Sequence, residues 1–166
     1  LAEHLDHLRV QIDDRDNLRP GDKFFYWIQQ GVPVRVEIGP RDVEQLSAMV
    51  ARRDVRDKKL VPLDEIADHV MRLLQQIQRD LYQRALDFRE ANTRTANSYG
   101  EFKEILDQEG GFIRAHWNGT REVEELIKNE TKATIRCIPL SDQPEAGRCI
   151  LTGERSKQEV IFAIAY

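Results

Sequence analysis

The chain has 166 residues, of which 33% are charged and 40% hydrophobic, with a formal net charge of -4. That length fits one ordinary domain or two small ones sharing an interface, and the acidic balance removes a global basic field as an argument for a nucleic-acid partner. Two cysteines are too few for a disulfide framework, so reduced cytosolic thiols are the default, and no apolar run approaches the roughly 20 residues of a membrane helix.

In chain order, Leu1, Leu5 and Leu8 stand at helical spacing, and Val10 and Ile12 then alternate as a short strand. The chain begins at Leu1 without an initiator Met, and the expectation is a fragment or a processed piece. Residues 13–23 are polar and carry a Pro20-Gly21 turn; residues 24–30 hold Phe24, Phe25, Trp27 and Ile28, two helical turns ended by Gly31. Residues 32–38 form a strand by the alternation of Val32, Val34, Val36 and Ile38, stopped by Gly39-Pro40. One helical turn over 42–46, a strand over 47–53, a charged loop and a short edge segment over 59–62 follow. From Leu63 the period changes: Leu63, Ile66, Val70, Leu73, Leu74, Ile77, Leu81 and Phe88 keep one helical face for about eight turns. Beyond it, 99–106 and 123–127 read as helices, and 112–117, 134–138, 149–152 and 160–166 as strands. The whole is mixed α and β, with a boundary near Arg94.

Charge is balanced through Lys59, with eleven Lys and Arg against eleven Asp and Glu, leaving fourteen against eighteen beyond. An anion site in the first third therefore needs local clustering. Arg19 and Lys23 beside the aromatic run 24–27 offer phosphate grips next to base-stacking rings, unless Phe24 and Trp27 are core. Arg35 sits on the strand's polar face, where its rigid fork would suit the two acceptors of a guanine edge. The competing reading is an ion pair with Glu37 or Asp14. Arg41, just past the Gly-Pro break, would reach the same ligand. His116, Cys137 and Cys149 invite a metal, yet none of the three stands in a close Cys or His pair and eleven residues separate the cysteines, so both cysteines read as small buried residues. No nucleophile elbow or P-loop is present.

Four blocks, in residues 13–42, 84–93, 130–140 and the terminal Phe-Ala-Ile-Ala-Tyr, resemble prolyl-tRNA synthetases of the archaeal and eukaryotic type, which some bacteria also carry. The resemblance implies an α/β and α+β fold: a mixed-sheet anticodon-binding domain over 1–62 lacking its first strand, a connecting helix over 63–94, and a small α+β C-terminal domain over 95–166. It implies tRNA(Pro) as partner, with Arg35 and Arg41 reading the two guanines of the anticodon, and Glu37 and Asp42 orienting those arginines. A Glu that the family places beside them is here Ile28, so Gln29 or Gln30 substitutes or one base is read less strictly; Lys23 joins the anticodon set. The parent enzyme would use ATP and Mg, work in the cytoplasm as a homodimer and supply the catalytic domain, which this chain lacks. A non-catalytic RNA-binding or interaction module is the alternative. Four cysteines that hold zinc in such C-terminal domains fall on Asn118, Val123, Cys149 and Thr152, so zinc is not expected. Tyr166, led in by Ile161, Phe162, Ala163 and Ile164, takes the place of the tyrosine directed at the active site.

Overall fold

The computed structural model describes residues 8–140 and 146–165. Two compact units divide the chain, Leu1–Gln83 and Arg84–Tyr166.

The first unit begins with α1 (Pro20–Gln29), whose Pro at the first helical position has a preset φ and no N–H to leave unsatisfied. Gly31 ends it at φ +83, a conformation open to glycine without strain. Then come β1 (Val34–Glu37), α2 (Pro40–Glu44), β2 (Ser47–Arg52), β3 (Lys58–Pro62) and α3 (Ile66–Ala91), whose residues from Arg84 on are counted in the second unit. β2 lies between β1 and β3 and pairs antiparallel with both, so the three described strands form an antiparallel sheet. The two-residue period of β1 puts Val34 and Val36 on the face where Ala48, Val50 and Val61 meet Ile66 and Val70 of α3. Arg35 and Glu37 consequently fall on the opposite face. Arg52 clamps Asp54 and Asp80 at 2.8 Å each, joining β2 to α3, and those two hydrogen bonds hold its guanidinium still more firmly in the charged form.

Two sequence expectations fail in this unit. Val10 and Ile12 are exposed and form no strand; residues 8–15 have no sheet partner. Polar contacts hold the segment instead, for Asp13 accepts from Arg15 Nε (2.8 Å) and from Trp27 Nε1 (2.7 Å). The apolar stripe of α3 also stops burying side chains early: Ile66, Val70 and Ile77 are buried, whereas Leu81 and Phe88 are exposed. Periodicity identifies a helix's apolar side without saying how far along it a neighbour extends.

The second unit contains β4 (Thr93–Thr95), α4 (Tyr99–Gln108), β5 (Phe112–Trp117), α5 (Arg121–Thr131), β6 (Ala133–Cys137), β7 (Gly147–Arg148), β8 (Arg155–Ser156) and β9 (Gln158–Ile164). Its main sheet runs β4-β5-β9-β6; β4 is parallel to β5 and the other pairs are antiparallel, which makes it mixed. Ile113 faces Phe162 and Ala115 faces Val160 across β5 and β9. On this apolar face lie Phe102 of α4 and Val123 and Ile127 of α5. Ser98 caps α4 by accepting the Glu101 N–H (3.2 Å), a donor the helix leaves open, and the Glu101 carboxylate accepts the Asn97 N–H just before the cap (2.8 Å).

A third correction concerns 149–152. This stretch is a turn between β7 and β8, closed by the Gly153 N–H on the Cys149 carbonyl (2.9 Å), and Gly153 takes φ +71. The short apolar run Cys149, Ile150 and Leu151 reads as a strand because burial, not pairing, is what its composition reports.

Candidate nucleic-acid interface

The polar face of the first unit's sheet carries a four-residue cluster. Arg35 on β1 stands opposite Ala51 on β2, which stands opposite Lys58 on β3. The small central alanine leaves the two long cations flanking it. Glu37, two residues along β1, collects both: Arg35 donates to its Oε1 from Nε (2.9 Å) and Nη2 (2.7 Å), and Lys58 Nζ donates to Oε1 (2.9 Å) and Oε2 (3.2 Å). α1 adds Phe24, whose ring centroid lies 3.9 Å from Arg35 Cζ and 5.5 Å from Lys58 Nζ. A ring face at that range attracts both cations. Burial raises the Glu37 pKa, but hydrogen bonds from Lys58 and Arg35 outweigh it and hold the carboxyl below its ordinary value.

This geometry decides what Arg35 can still do. With Nε and one Nη2 hydrogen on Glu37, the outer edge formed by Nη1 and the remaining Nη2 hydrogen has no hydrogen-bond partner among the described residues. That edge is a two-donor fork, fixed in plane by the carboxylate on one side and the phenyl ring beneath it. Such a fork matches the O6 and N7 acceptors of guanine. The Arg35–Glu37 ion pair and a base-reading role are therefore compatible, since the pair positions the fork.

The other candidates separate from this cluster. Arg41 is exposed in α2 and has no side-chain hydrogen bond or ion pair among the described residues. Asp42 does not orient it; its Oδ2 accepts the Gly39 N–H (2.8 Å), because the start of α2 leaves that donor open. Lys23 turns to the preceding loop, donating to the Asp13 carbonyl (3.3 Å) and lying 4.0 Å from Asp13 Oδ1. Ile28 is 40% exposed, offering hydrocarbon where an acceptor was implied, and Gln29 and Gln30 follow it in exposed positions. Of the aromatic run, Phe24 and Trp27 are half-buried and neither is core; Phe25 is 70% exposed, and Tyr26 lies under Arg15. Lys58 was missed by sequence reasoning. It belongs to a run of charges with no period, and only the register across β2 sets it beside Glu37.

The second unit holds the residues considered for metal. His116 stands on β5, Cys137 is exposed on β6, and Cys149 is buried in the β7–β8 turn. Zinc does not fit the four positions that the resemblance implied. Val123 presents a hydrocarbon side chain to the core, and the Asn118 amide and Thr152 hydroxyl both donate to Glu154. Cys149 is the one thiol among them, and structural zinc takes four Cys or His ligands. Tyr166 lies outside the described residues; its lead-in is β9, with Phe162 and Ala163 buried.

Comparison with known families agrees with this division. Residues 1–73 match the family described as anticodon binding domain, and residues 99–166 match prolyl-tRNA synthetase, C-terminal. The chain is 51% identical over 159 residues to a proline–tRNA ligase of Flavobacterium johnsoniae, covering 96% of this chain and 32% of that protein. It is 51% identical over 168 residues to one of Roseiflexus sp., covering 99% and 35%, and 50% identical over 159 residues to one of Porphyromonas gingivalis, covering 96% and 32%. The chain thus spans about a third of the length of these curated relatives.

Proposed function

From a chain that carries the anticodon-binding and C-terminal domains of prolyl-tRNA synthetase, we propose that it selects tRNA(Pro) by its anticodon on behalf of a proline–tRNA ligase. The observation that carries this reading is the Arg35 fork, aimed by Glu37 and seated on Phe24. Unstacked loop bases expose the edges that such a fork reads, and RNA recognition by proteins concentrates on loops of this kind. Arg41, exposed beyond β1 and without a side-chain partner among the described residues, is the second guanine reader. Gln29 or Gln30 takes the place of the absent glutamate at Ile28.

The parent enzyme would activate proline with ATP and Mg and transfer it to the tRNA, in the cytoplasm and as a homodimer. Those steps belong to a catalytic domain of the same enzyme, and Tyr166 would be directed toward it. The archaeal and eukaryotic type is supported by the C-terminal domain match, since that type carries the appended domain and also occurs in bacteria. Within it, 1–62 would be the anticodon-binding domain, 63–94 the connecting helix and 95–166 the C-terminal domain; α3 at Ile66–Ala91 supports the middle assignment.

Arg35→Ala in the full-length ligase tests the reading. Loss of a bidentate base contact costs about 1–3 kcal/mol, so KM for tRNA should rise by roughly 5- to 150-fold. Proline-dependent pyrophosphate exchange, which needs no tRNA, should stay unchanged. Equal loss of both activities, or an unchanged KM for tRNA, overturns the anticodon role. An unchanged KM favours the alternative of an interaction module, for which the exposed Ile28 in place of an acceptor is the specific observation.

A further inference from the structure

Of the four positions that the resemblance assigns to zinc, Asn118 and Thr152 meet on one carboxylate in the second unit, and Val123 and Cys149 belong to its core. The loop after β5 begins at Asn118, and the β7–β8 turn holds Cys149 and Thr152. One connected set of hydrogen bonds joins loop and turn. Asn118 Nδ2 donates to Glu154 Oε2 (3.0 Å), and Thr152 Oγ1 donates to the same oxygen (3.2 Å). Asn118 Oδ1 accepts from the Thr120 N–H (3.2 Å) and from Thr120 Oγ1 (3.0 Å), which fixes the start of α5. The Glu154 N–H donates to Thr152 Oγ1 (3.3 Å), and the Cys149 N–H to the Glu154 carbonyl (2.9 Å).

Cys149 is buried at the start of this turn. Alongside, the Ile150 N–H reaches the His116 carbonyl (3.0 Å), and Gly147 lies so close to the His116 ring that any Cβ there would collide with it. The turn is therefore seated against the end of β5 by backbone contacts as well as by the side-chain network.

We propose that this unit is a metal-free descendant of a zinc knuckle: the fold of the site persists, and a clasp of Asn118, Thr152 and Glu154 closes the β5–α5 loop on the β7–β8 turn in place of the ion. A zinc site takes its cross-link from four ligand bonds. The clasp takes it from hydrogen bonds centred on one carboxylate, and bonds to a charged acceptor are stronger than neutral ones. Glu154 is thus the hub, and no metal ligand of the family corresponds to it.

The test uses the full-length ligase, comparing variants with the parent so that any metal elsewhere cancels. Adding a strong chelator should leave the melting temperature of the parent's C-terminal unit unchanged. Glu154→Ala or Asn118→Ala should lower it by about 4–8 °C, the shift that the loss of one such interaction produces in a unit of this size. Restoring three thiols with Asn118→Cys, Val123→Cys and Thr152→Cys should bind one Co2+ beyond the parent, with the intense thiolate charge-transfer absorption of a tetrahedral site. The same variant's melting temperature should rise with zinc. A chelator-sensitive parent overturns the clasp, as does a melting temperature indifferent to both single substitutions. A folded triple variant that takes up no cobalt overturns the retained knuckle. If the triple variant does not fold, the chelator and single-substitution results decide the clasp by themselves.

Discussion

The two units invest their side chains differently. The core of Leu1–Gln83 is built from Ala48, Val50, Val61, Ile66 and Val70, with no fully buried aromatic ring among the described residues. Arg84–Tyr166 centres on Phe102 and Phe162, edge to face at 5.2 Å and 80°, packed with Ile113, Ile127 and Val160. Buried rings contribute more area, and such pairs add about 0.5–1.5 kcal/mol beyond it. Polar residues follow the opposite rule. In the first unit they gather on an accessible sheet face, where Glu37 holds Arg35 and Lys58 against Phe24. In the second they close the molecule on itself, through the Ser98 cap and the Asn118–Glu154 contact. A sheet that gathers cations on one face leaves that face without an apolar cover. A sheet that only supports can bury more of its own.

Breaking the larger core should have the largest effect. Phe162→Ala removes the ring packed on Phe102 and should cost about 3–5 kcal/mol. Hydrogen exchange should then accelerate in β5, β6 and β9 while the amides of β2 keep their protection; uniform acceleration would mean that the units unfold as one.

Next in size is a change on the open face that touches no core. Arg35→Lys keeps the charge and loses the fork, so tRNA affinity should fall by about 1–3 kcal/mol. Urea denaturation should barely move. A stability loss as large as the binding loss would make Arg35 structural.

Acidification sharpens the contrast further. Because the folded-state pKa of Glu37 lies below its ordinary 4.5, its ion pairs stabilise the first unit fully above that value, and the contribution is lost as pH falls through the folded pKa. The effect should be about 1 kcal/mol, in keeping with a partly exposed pair. Glu37→Gln should abolish that part of the pH dependence between pH 4.5 and lower values, measured by denaturant titration at each pH. A profile unaltered by the substitution would assign the acid sensitivity to other carboxylates.

The smallest effect expected is a gain. Leu46 turns the chain from α2 into β2 at φ 49, a left-handed conformation costly for a residue with a Cβ, and its side chain is exposed. Leu46→Gly should stabilise the first unit by about 0.5 kcal/mol once glycine's greater unfolded-state freedom is subtracted. A lower melting temperature would show that the leucine contributes packing that its exposure hides.

Local pattern carried much of the fold. The alternation of Val34 and Val36 against Arg35 and Glu37 predicts β1 and both of its faces, and the recurrence from Leu63 to Phe88 predicts α3. Arg35 was conspicuous because a charge inside an apolar alternation must face a partner or a ligand. Where composition mimics a strand, pattern misled: Val10 and Ile12 alternate without a neighbour to pair with, and residues 149–152 are apolar because they are buried in a turn.

What the sequence by itself determined is therefore periodic and near in the chain: the type and faces of β1, the helix α3, and the placing of Arg35 on a polar face. Tertiary structure alone decided which groups share a partner. Lys58 reaches Glu37 from 21 residues away only because β2 sets both strands in register, and Asn118 reaches Glu154 across 36 because a turn folds back on the end of β5. Period and propensity act over a few residues, whereas a shared carboxylate is set by how strands pair and turns close. No spacing along the chain records that choice.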